Sequence, residues 1–373
     1  MREEKKQSRS GRRANIELLR ILAMFMVVVM HYLYQSRVLP ENGHVLDSVG
    51  VTAVVLESFC IVAVNVYVLI SGYFLFVSAF SWRRVIRVIA QTLFYTVLIP
   101  LILAFGGVLP FSDVTDLYHL WNSIFPIQSG QYWFVTAYVV MCLFSPVLNA
   151  AVQNLEQKRF QQVLAALLLF FCIGKTFSPL PFATDRYGYD FGWFLVLYLL
   201  GGYIRRFGIP FFKNAGRSFG IYLGSVIGTA VIQLVLILLQ RTIPGLGYYT
   251  SVPFHYNFLL CLTGAVGLFY AFLHINVKEG KGADFIRWVS PAVFGVYLIH
   301  EQADVAQRWY GWVNGLTGNL GRSWNMPPDA PGYPVSEYLV LLLLHTLIVF
   351  AVCIVIEKAR GLLFSLVERK NVR

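Results

Sequence analysis

Charged residues are scarce in this chain, and their scarcity excludes most classes of soluble protein. Asp, Glu, Lys and Arg make up 13% of the 373 residues, roughly half of the usual quarter. Hydrophobic residues make up 57%, and the mean hydropathy is +0.62. A soluble protein of this length could not bury so much apolar surface, so we exclude a cytosolic enzyme and a nucleic-acid-binding protein.

Cysteine is also scarce, and its spacing excludes a disulfide framework and a zinc site. No C-x-x-C pair occurs, and no cysteine is paired with histidine at zinc-ligand spacing. The sequence therefore predicts no metal site, and buried cysteines that pack between helices. The five cysteines all lie in apolar runs: Cys60, Cys142, Cys172, Cys261 and Cys353.

Long apolar runs take up most of the sequence. A bilayer span needs about 20 mostly apolar residues, and runs of about that length recur between polar or Pro- and Gly-rich stretches. The pattern predicts an all-α, polytopic bundle of transmembrane helices with about ten spans. The predicted spans are 15–36, 51–77, 87–108, 132–150, 161–177, 191–204, 219–239, 255–274, 289–309 and 335–357.

The basic residues orient these spans. Of the 30 Lys and Arg residues, 23 lie in the two terminal segments and in alternate loops, which the positive-inside rule assigns to the cytoplasm. Both termini are therefore expected in the cytoplasm. The chain divides into a basic N-terminal segment (1–14), an integral membrane domain (15–357) and a basic C-terminal tail (358–373), and both basic segments are expected to contact anionic lipid.

The first predicted helix carries ionisable residues that are costly to keep in a bilayer. Arg20 and His31 are eleven residues apart, which places them on one face of a helix and about 16 Å apart along its axis. Glu17 lies one turn before Arg20 and can pair with it. A snorkelling arginine and an interfacial histidine would explain the same residues, but their shared face favours a function.

A second candidate lies at the inner end of the third span. Arg84 and Arg87 are three residues apart and lie on one side of a helix. Two guanidinium groups at this spacing suit the capture of phosphates. An ordinary cytoplasmic loop would also contain them.

Three further stretches combine polar and aromatic residues. In the second span, Asn65 and Ser71 accompany Gly72, which permits close approach of helices. His300 and Glu301 lie together near the outer ends of the helices. Trp133 belongs to an aromatic stretch that could stack on a sugar, although aromatic belts at the membrane interface give the same pattern.

These motifs resemble those of the membrane-bound acyltransferase 3 family. Arg20 and His31 match its R-x10-H signature, and Arg84-Val85-Ile86-Arg87 is similar to its cytoplasmic R-x-x-R. Ile70-Ser71-Gly72-Tyr73 and Tyr297-Leu298-Ile299-His300 are similar to its other recurrent stretches. The resemblance extends over essentially the whole chain, and ten spans match the architecture of the family.

The resemblance implies a multi-pass enzyme of the bacterial plasma membrane. Such enzymes move an acyl group, most often acetyl, from cytoplasmic acyl-CoA to a hydroxyl of a carbohydrate, glycolipid or other envelope acceptor. Acyl-CoA is then a co-substrate, with Arg20, Arg84 and Arg87 as its phosphate ligands and His31 as the general base. A histidine-linked acyl intermediate is equally compatible with the residues. Any extracytoplasmic esterase-like partner would be a separate protein.

Two other classes remain open from the residues. A transporter or flippase for a lipid-linked saccharide would also bury Arg and His along one path. A structural scaffold would need no arginine and histidine aligned in one helix. Binding of acetyl-CoA distinguishes the acyltransferase from the transporter.

Overall fold

The computed structural model of the chain describes residues 13–40, 46–178, 186–317 and 332–370, and these residues form helices without a β-strand. The α-helices, in chain order, are α1 (Ala14–Gln35), α2 (Ser48–Cys60), α3 (Ala63–Leu75), α4 (Trp82–Phe105), α5 (Phe111–Thr115), α6 (Leu117–Ile124), α7 (Trp133–Val152), α8 (Gln157–Leu168), α9 (Phe191–Phe207), α10 (Ala215–Gln240), α11 (Leu259–His274), α12 (Lys281–Val289), α13 (Val293–His300), α14 (Ala303–Ala306), α15 (Trp309–Thr317) and α16 (Val335–Lys370). The all-helical membrane fold expected from the sequence is confirmed.

Short polar side chains fix where several helices begin. The Asp47 carboxylate accepts a hydrogen bond of 2.7 Å from the backbone N–H of Gly50 at the start of α2. Asp190 caps α9 in the same way, and Asn214 caps α10. Such caps satisfy backbone N–H groups that lack a partner within the helix, so each long apolar run begins at a defined residue.

Eight helical segments of the described residues are long and apolar enough to cross a bilayer, against about ten predicted spans. Three of them are compound. The helices α2 and α3 form one segment, Ser48–Leu75; α8 continues through a π-helical turn to Phe177; and two 3-10 turns precede α11 in the segment Pro244–His274. The sixth predicted span, 191–204, corresponds to α9, whose 17 residues give a length of about 25 Å.

The ninth predicted span is wrong as a continuous helix. Residues 289–309 form a 3-10 turn, Ser290–Ala292, followed by the short helices α13 and α14. The helix breaks after His300 because the side chain of Gln302 accepts hydrogen bonds from the backbone N–H groups of Asp304 and Val305, at 2.7 and 3.2 Å. This cap starts α14 in place of a further turn of α13.

Glycine sets the packing of α3 against α9. A Cβ atom added to Gly72 would lie 2.5 Å from the carbonyl oxygen of Tyr198, and one added to Gly201 would lie 2.7 Å from that of Leu69. No side chain fits at these distances, so the two backbones are in contact. The close helix approach predicted at Gly72 is therefore confirmed.

Contacts between helix termini define two ends of the bundle. Asn15, at the start of α1, donates a 2.8 Å hydrogen bond to the carbonyl of Phe272, at the end of α11. Ser36, at the other end of α1, lies 3.3 Å from the hydroxyl of Tyr338, at the start of α16. The first residues of α1 and the last residues of α16 therefore lie at the same end, together with Arg83 and Lys213. We call this the basic end and the other the distal end.

Some sequence predictions concern residues outside the described ranges. The basic N-terminal segment lies outside them except for Arg13 and Ala14, and so do the last three residues of the basic tail. The described cysteines, Cys60, Cys142, Cys172, Cys261 and Cys353, are all free and buried, as predicted.

Candidate active site

The structure joins His31 to the His300–Glu301 pair in the distal half of the bundle. The Nδ1 atom of His31 lies 2.8 Å from Nε2 of His300 and 3.1 Å from Oε1 of Glu301. The His300 side chain is fully buried, whereas those of His31 and Glu301 keep about a quarter of their surface exposed, 28% and 26%. The cluster therefore has a buried side and a side that is open to a substrate.

The backbone decides which nitrogen atoms carry protons. Nδ1 of His300 lies 2.6 Å from the carbonyl oxygen of Val296, and a carbonyl can only accept a hydrogen bond. In a neutral His300 the proton is therefore on Nδ1, and Nε2 carries a lone pair. His31 must then donate its Nδ1–H to this nitrogen, with the Glu301 carboxylate as a second acceptor. The Nε2 atom of His31 retains its lone pair, as a general base requires.

Two imidazoles and a carboxylate are also the ligands of many divalent cations, and the three nearest atoms lie within 4.8 Å of one another. This group of three possible ligands was not predictable from the sequence, because His31 and His300 are 269 positions apart. Two nitrogen ligands on one tetrahedral zinc ion would lie about 3.3 Å apart, given a Zn–N distance of about 2.05 Å. The observed 2.8 Å is instead the length of a hydrogen bond, so we interpret the cluster as a proton-sharing group.

Aromatic packing holds α13 in position. Tyr132 donates a 2.6 Å hydrogen bond to the carbonyl of Leu298, and the ring of Phe134 contacts that of Tyr297 at 5.8 Å between centroids. Phe134 also contacts Tyr67 of α3 at 6.3 Å. These contacts tie α13 to α7 and α3, so the position of His300 depends on three different parts of the chain.

Arg20 lies in a polar group nearer the basic end. Its guanidinium donates a 2.8 Å hydrogen bond to Glu17, which confirms the pairing predicted from their spacing. The Tyr67 hydroxyl donates to the backbone carbonyl of Arg20 at 2.6 Å. The Tyr138 side chain is close enough to interact electrostatically with Arg20 and to hydrogen-bond Ser71. Ser71 and Arg20 therefore both lie near Tyr138, and the Arg20 side chain keeps 31% of its surface exposed.

The two arginines of the R-x-x-R motif differ in burial. Arg84 is half-buried and interacts electrostatically with Cys142 on α7 and Tyr198 on α9. Arg87 is exposed. Cys142 is hydrogen-bonded to Tyr138, so Arg84 and Arg20 face the same strip of α7.

Trp133 lines a cavity of about 1400 Å³ at the distal end. Its ring stacks on Tyr256 at 5.6 Å between centroids, so it belongs to a cavity wall instead of a belt facing lipid. Asn65 lies behind this wall: its amide donates to the carbonyl of Tyr256 and accepts from Trp193. Both polar atoms of Asn65 are thus used in packing, and the structure does not bring Asn65 to His31.

Sequence reasoning missed several residues of this region. Tyr187, Tyr189, Tyr248 and His255 line the same cavity. The first three lie between the predicted spans, and His255 is the first residue of the predicted span 255–274. Gln233 also lines the cavity; it is buried, and its side-chain oxygen has no hydrogen-bond partner among the described residues. A single glutamine inside the apolar span 219–239 was the one signal that could have indicated it.

Comparison with known protein families identifies this chain. The model of the acyltransferase 3 family, described as an acyltransferase domain, matches residues 13–358. No curated protein and no solved structure matches the chain. The matched range contains α1 with Arg20 and His31, as well as the His300–Glu301 pair.

Proposed function

The chain belongs to the acyltransferase 3 family and is a membrane acyltransferase; we propose that it transfers an acyl group, in the first place acetyl, from cytoplasmic acyl-CoA to a hydroxyl of a carbohydrate or glycolipid of the cell envelope. The observation that carries this proposal is the hydrogen bond between His31 and His300, because it leaves a lone pair on Nε2 of a partly exposed histidine. The family match favours an acyltransferase over the transporter.

The proposed reaction uses this lone pair. Nε2 of His31 takes the proton of the acceptor hydroxyl, while the oxygen of that hydroxyl forms a bond to the thioester carbonyl carbon. The C–S bond then breaks, and the coenzyme A thiolate receives the proton from the imidazolium, so that an ester and a free thiol result. His300 and Glu301 accept the Nδ1–H of His31, and the Glu301 carboxylate stabilises the positive charge that develops on the ring.

In this proposal the donor enters from the basic end. Arg20 and Arg84 face one strip of α7, where their guanidinium groups would hold the phosphates of acyl-CoA. Eleven residues separate Arg20 from His31, so the thioester must reach about 16 Å further along α1. The exposed Arg87 would contact the same phosphates from the surface. The positive-inside rule supports a cytoplasmic basic end.

The large distal cavity is the proposed site of the acceptor sugar. Aromatic rings line it, among them Trp133 and Tyr189, and Gln233 offers an unpartnered oxygen. Sugars present apolar faces to aromatic rings and hydroxyls to polar atoms. Phe134 and Tyr297 form the contact between this wall and the His300 helix.

The test is transfer of radiolabelled acetyl from acetyl-CoA into membrane glycans by the purified protein in vesicles. We expect binding of acetyl-CoA and labelling of glycans, with labelling abolished in His31→Ala. A protein that moves a lipid-linked saccharide between leaflets and does not bind acetyl-CoA would contradict the proposal and support the transporter.

A further inference from the structure

A narrow apolar groove lies next to the histidine cluster, and Arg360 lines the part of it nearest the basic end. It has a volume of about 550 Å³ and runs between α4, α13, α15 and α16. Its accessible wall contains almost no polar atoms, and His300 forms part of that wall. Several of its side chains are exposed on the outside of the bundle, where the hydrocarbon of the bilayer lies: Leu98, Ile102, Leu316, Val352 and Ile356.

The groove is long, apolar and open to the outside of the bundle. Along α16 it extends from Ile348 to Leu363, which is about 22 Å at 1.5 Å per residue. An almost wholly apolar wall of this length beside the bilayer suits the extended hydrocarbon chain of a lipid.

The wall of the groove contains a polar group beside His300, the indole N–H of Trp309. Trp309 lines the groove with its ring 6.5 Å from that of His300. The Trp309 side chain is buried, and its Nε1–H has no hydrogen-bond partner among the described residues. A buried N–H donor without a partner is costly, so an occupant with an oxygen at this position would satisfy it.

The position of α13 separates the groove from the donor. On one face of α13, Tyr297 contacts Phe134, which in turn contacts Tyr67 beside Arg20. Ile299 and His300 form the wall of the groove. The contacts of Arg20 therefore lead to the Tyr297 side of α13, and the groove lies against Ile299 and His300.

We propose that this groove holds the hydrocarbon chain of a membrane-anchored acceptor, which enters sideways from the bilayer and places the oxygen-bearing head of the lipid at Trp309 and His300. This inference rests on the proposed function and narrows its acceptor to a glycolipid. The hydrocarbon chain in the groove brings the acceptor hydroxyl to the histidine cluster, while acyl-CoA arrives on the other side of α13.

The test uses dodecyl glucoside with a diazirine at the end of its chain, bound to the full-length protein in vesicles of phosphatidylethanolamine and phosphatidylglycerol. After photolysis, mass spectrometry maps the adducts, which we expect on the groove segments of α4, α15 and α16. Val352→Trp fills the groove and is expected to lower the yield about tenfold or more, the loss for about two methylenes removed from an apolar contact. Val355→Trp is the matched control, because Val355 is 67% exposed on the same helix and does not line the groove; its yield should stay unchanged.

Competition identifies the occupant. Unlabelled dodecyl glucoside should suppress the adducts much more than methyl glucoside, additional phosphatidylglycerol or palmitoyl-CoA. Equal suppression by phosphatidylglycerol would mean that the groove holds bulk lipid, and stronger suppression by palmitoyl-CoA would mean that it holds the donor chain; either result, or equal yields for Val352→Trp and Val355→Trp, overturns the inference. Failure of the proposed function would appear separately, as absent acetyl transfer to every acceptor.

Discussion

Nδ1 of His31 lies 2.8 Å from Nε2 of His300, although 269 residues separate the two histidines in the chain. The contact joins the R-x10-H motif of the first helix to the end of α13. It also gives the two histidines different roles. The His31 side chain is about a quarter exposed, whereas His300 is buried and bonds Nδ1 of His31.

His31→Ala is expected to lower acetyl transfer by roughly 10²- to 10⁴-fold, the range of general-base catalysis, with unchanged acetyl-CoA binding. His31→Gln should be almost as inactive, because an amide cannot take the hydroxyl proton. Transfer rates and acetyl-CoA dissociation constants of the purified variants check this. His274→Ala is the control, since His274 lies at the basic end and bonds the carbonyl of Phe212. Near-normal transfer by His31→Ala would remove the catalytic assignment.

His300 and Glu301 are expected to act through the orientation of His31. His300→Ala should reduce kcat by about tenfold, the upper range for one neutral hydrogen bond, because Glu301 still accepts the Nδ1–H. Glu301→Gln keeps an acceptor oxygen but loses the charge. The double variant should lose more than the product of the two single effects, since both groups accept the same proton. Equal effects on kcat and on acetyl-CoA affinity would indicate general misfolding instead.

Arg84 and Arg87 should contribute unequally to donor binding. Arg84→Ala is expected to weaken acetyl-CoA binding by about 1.5–3 kcal/mol, the value of a hydrogen bond to a charged group. Arg87→Ala should have a smaller effect because Arg87 is exposed. Isothermal calorimetry measures both, with the neighbouring exposed Arg83→Ala as control. Arg20→Lys should also weaken binding, because lysine lacks the planar fork. Unchanged affinity in all of these variants would contradict the donor site.

The orientation in the membrane can be tested by labelling of introduced cysteines. The described cysteines are all buried, so an impermeant maleimide should report single exposed replacements. Ser112→Cys, beyond the distal end of α4, should react in intact cells. Lys213→Cys, at the basic end between α9 and α10, should react only after lysis. The reverse pattern would invert the topology and place the arginines outside the cell.

Gly72→Ala is expected to destabilise the fold, because its Cβ would lie 2.5 Å from the backbone oxygen of Tyr198. Forced overpacking typically costs about 1–3 kcal/mol, which thermal unfolding of the detergent-solubilised protein would detect. Gly224→Ala is the matched control, since a Cβ at this helical glycine meets nothing within 4 Å. Equal melting temperatures for the two variants would show that α3 and α9 can separate without cost.

Local features were predictable from the sequence, and long-range ones were not. Apolar runs and residue spacing predicted most of the spans, the Glu17–Arg20 pair and the close approach of helices at Gly72. The contact between His31 and His300 was not predictable, because a single sequence does not show which helix faces meet. The break after His300 was missed for a different reason: residues 289–309 are apolar enough for a span, and the cap formed by Gln302 outweighs that pattern.

The break in the ninth predicted span has an electrostatic consequence. Because α13 ends at His300, the negative end of its macrodipole lies beside the imidazole of His31 within the bundle. A helix C-terminus stabilises a nearby cation by about 0.3–2 kcal/mol, most strongly where water is excluded. A continuous helix across 289–309 would have carried this partial charge some 14 Å further on, at its own end. In the proposed reaction, the interrupted helix would therefore stabilise the positive charge that forms on His31 when the acceptor hydroxyl gives up its proton.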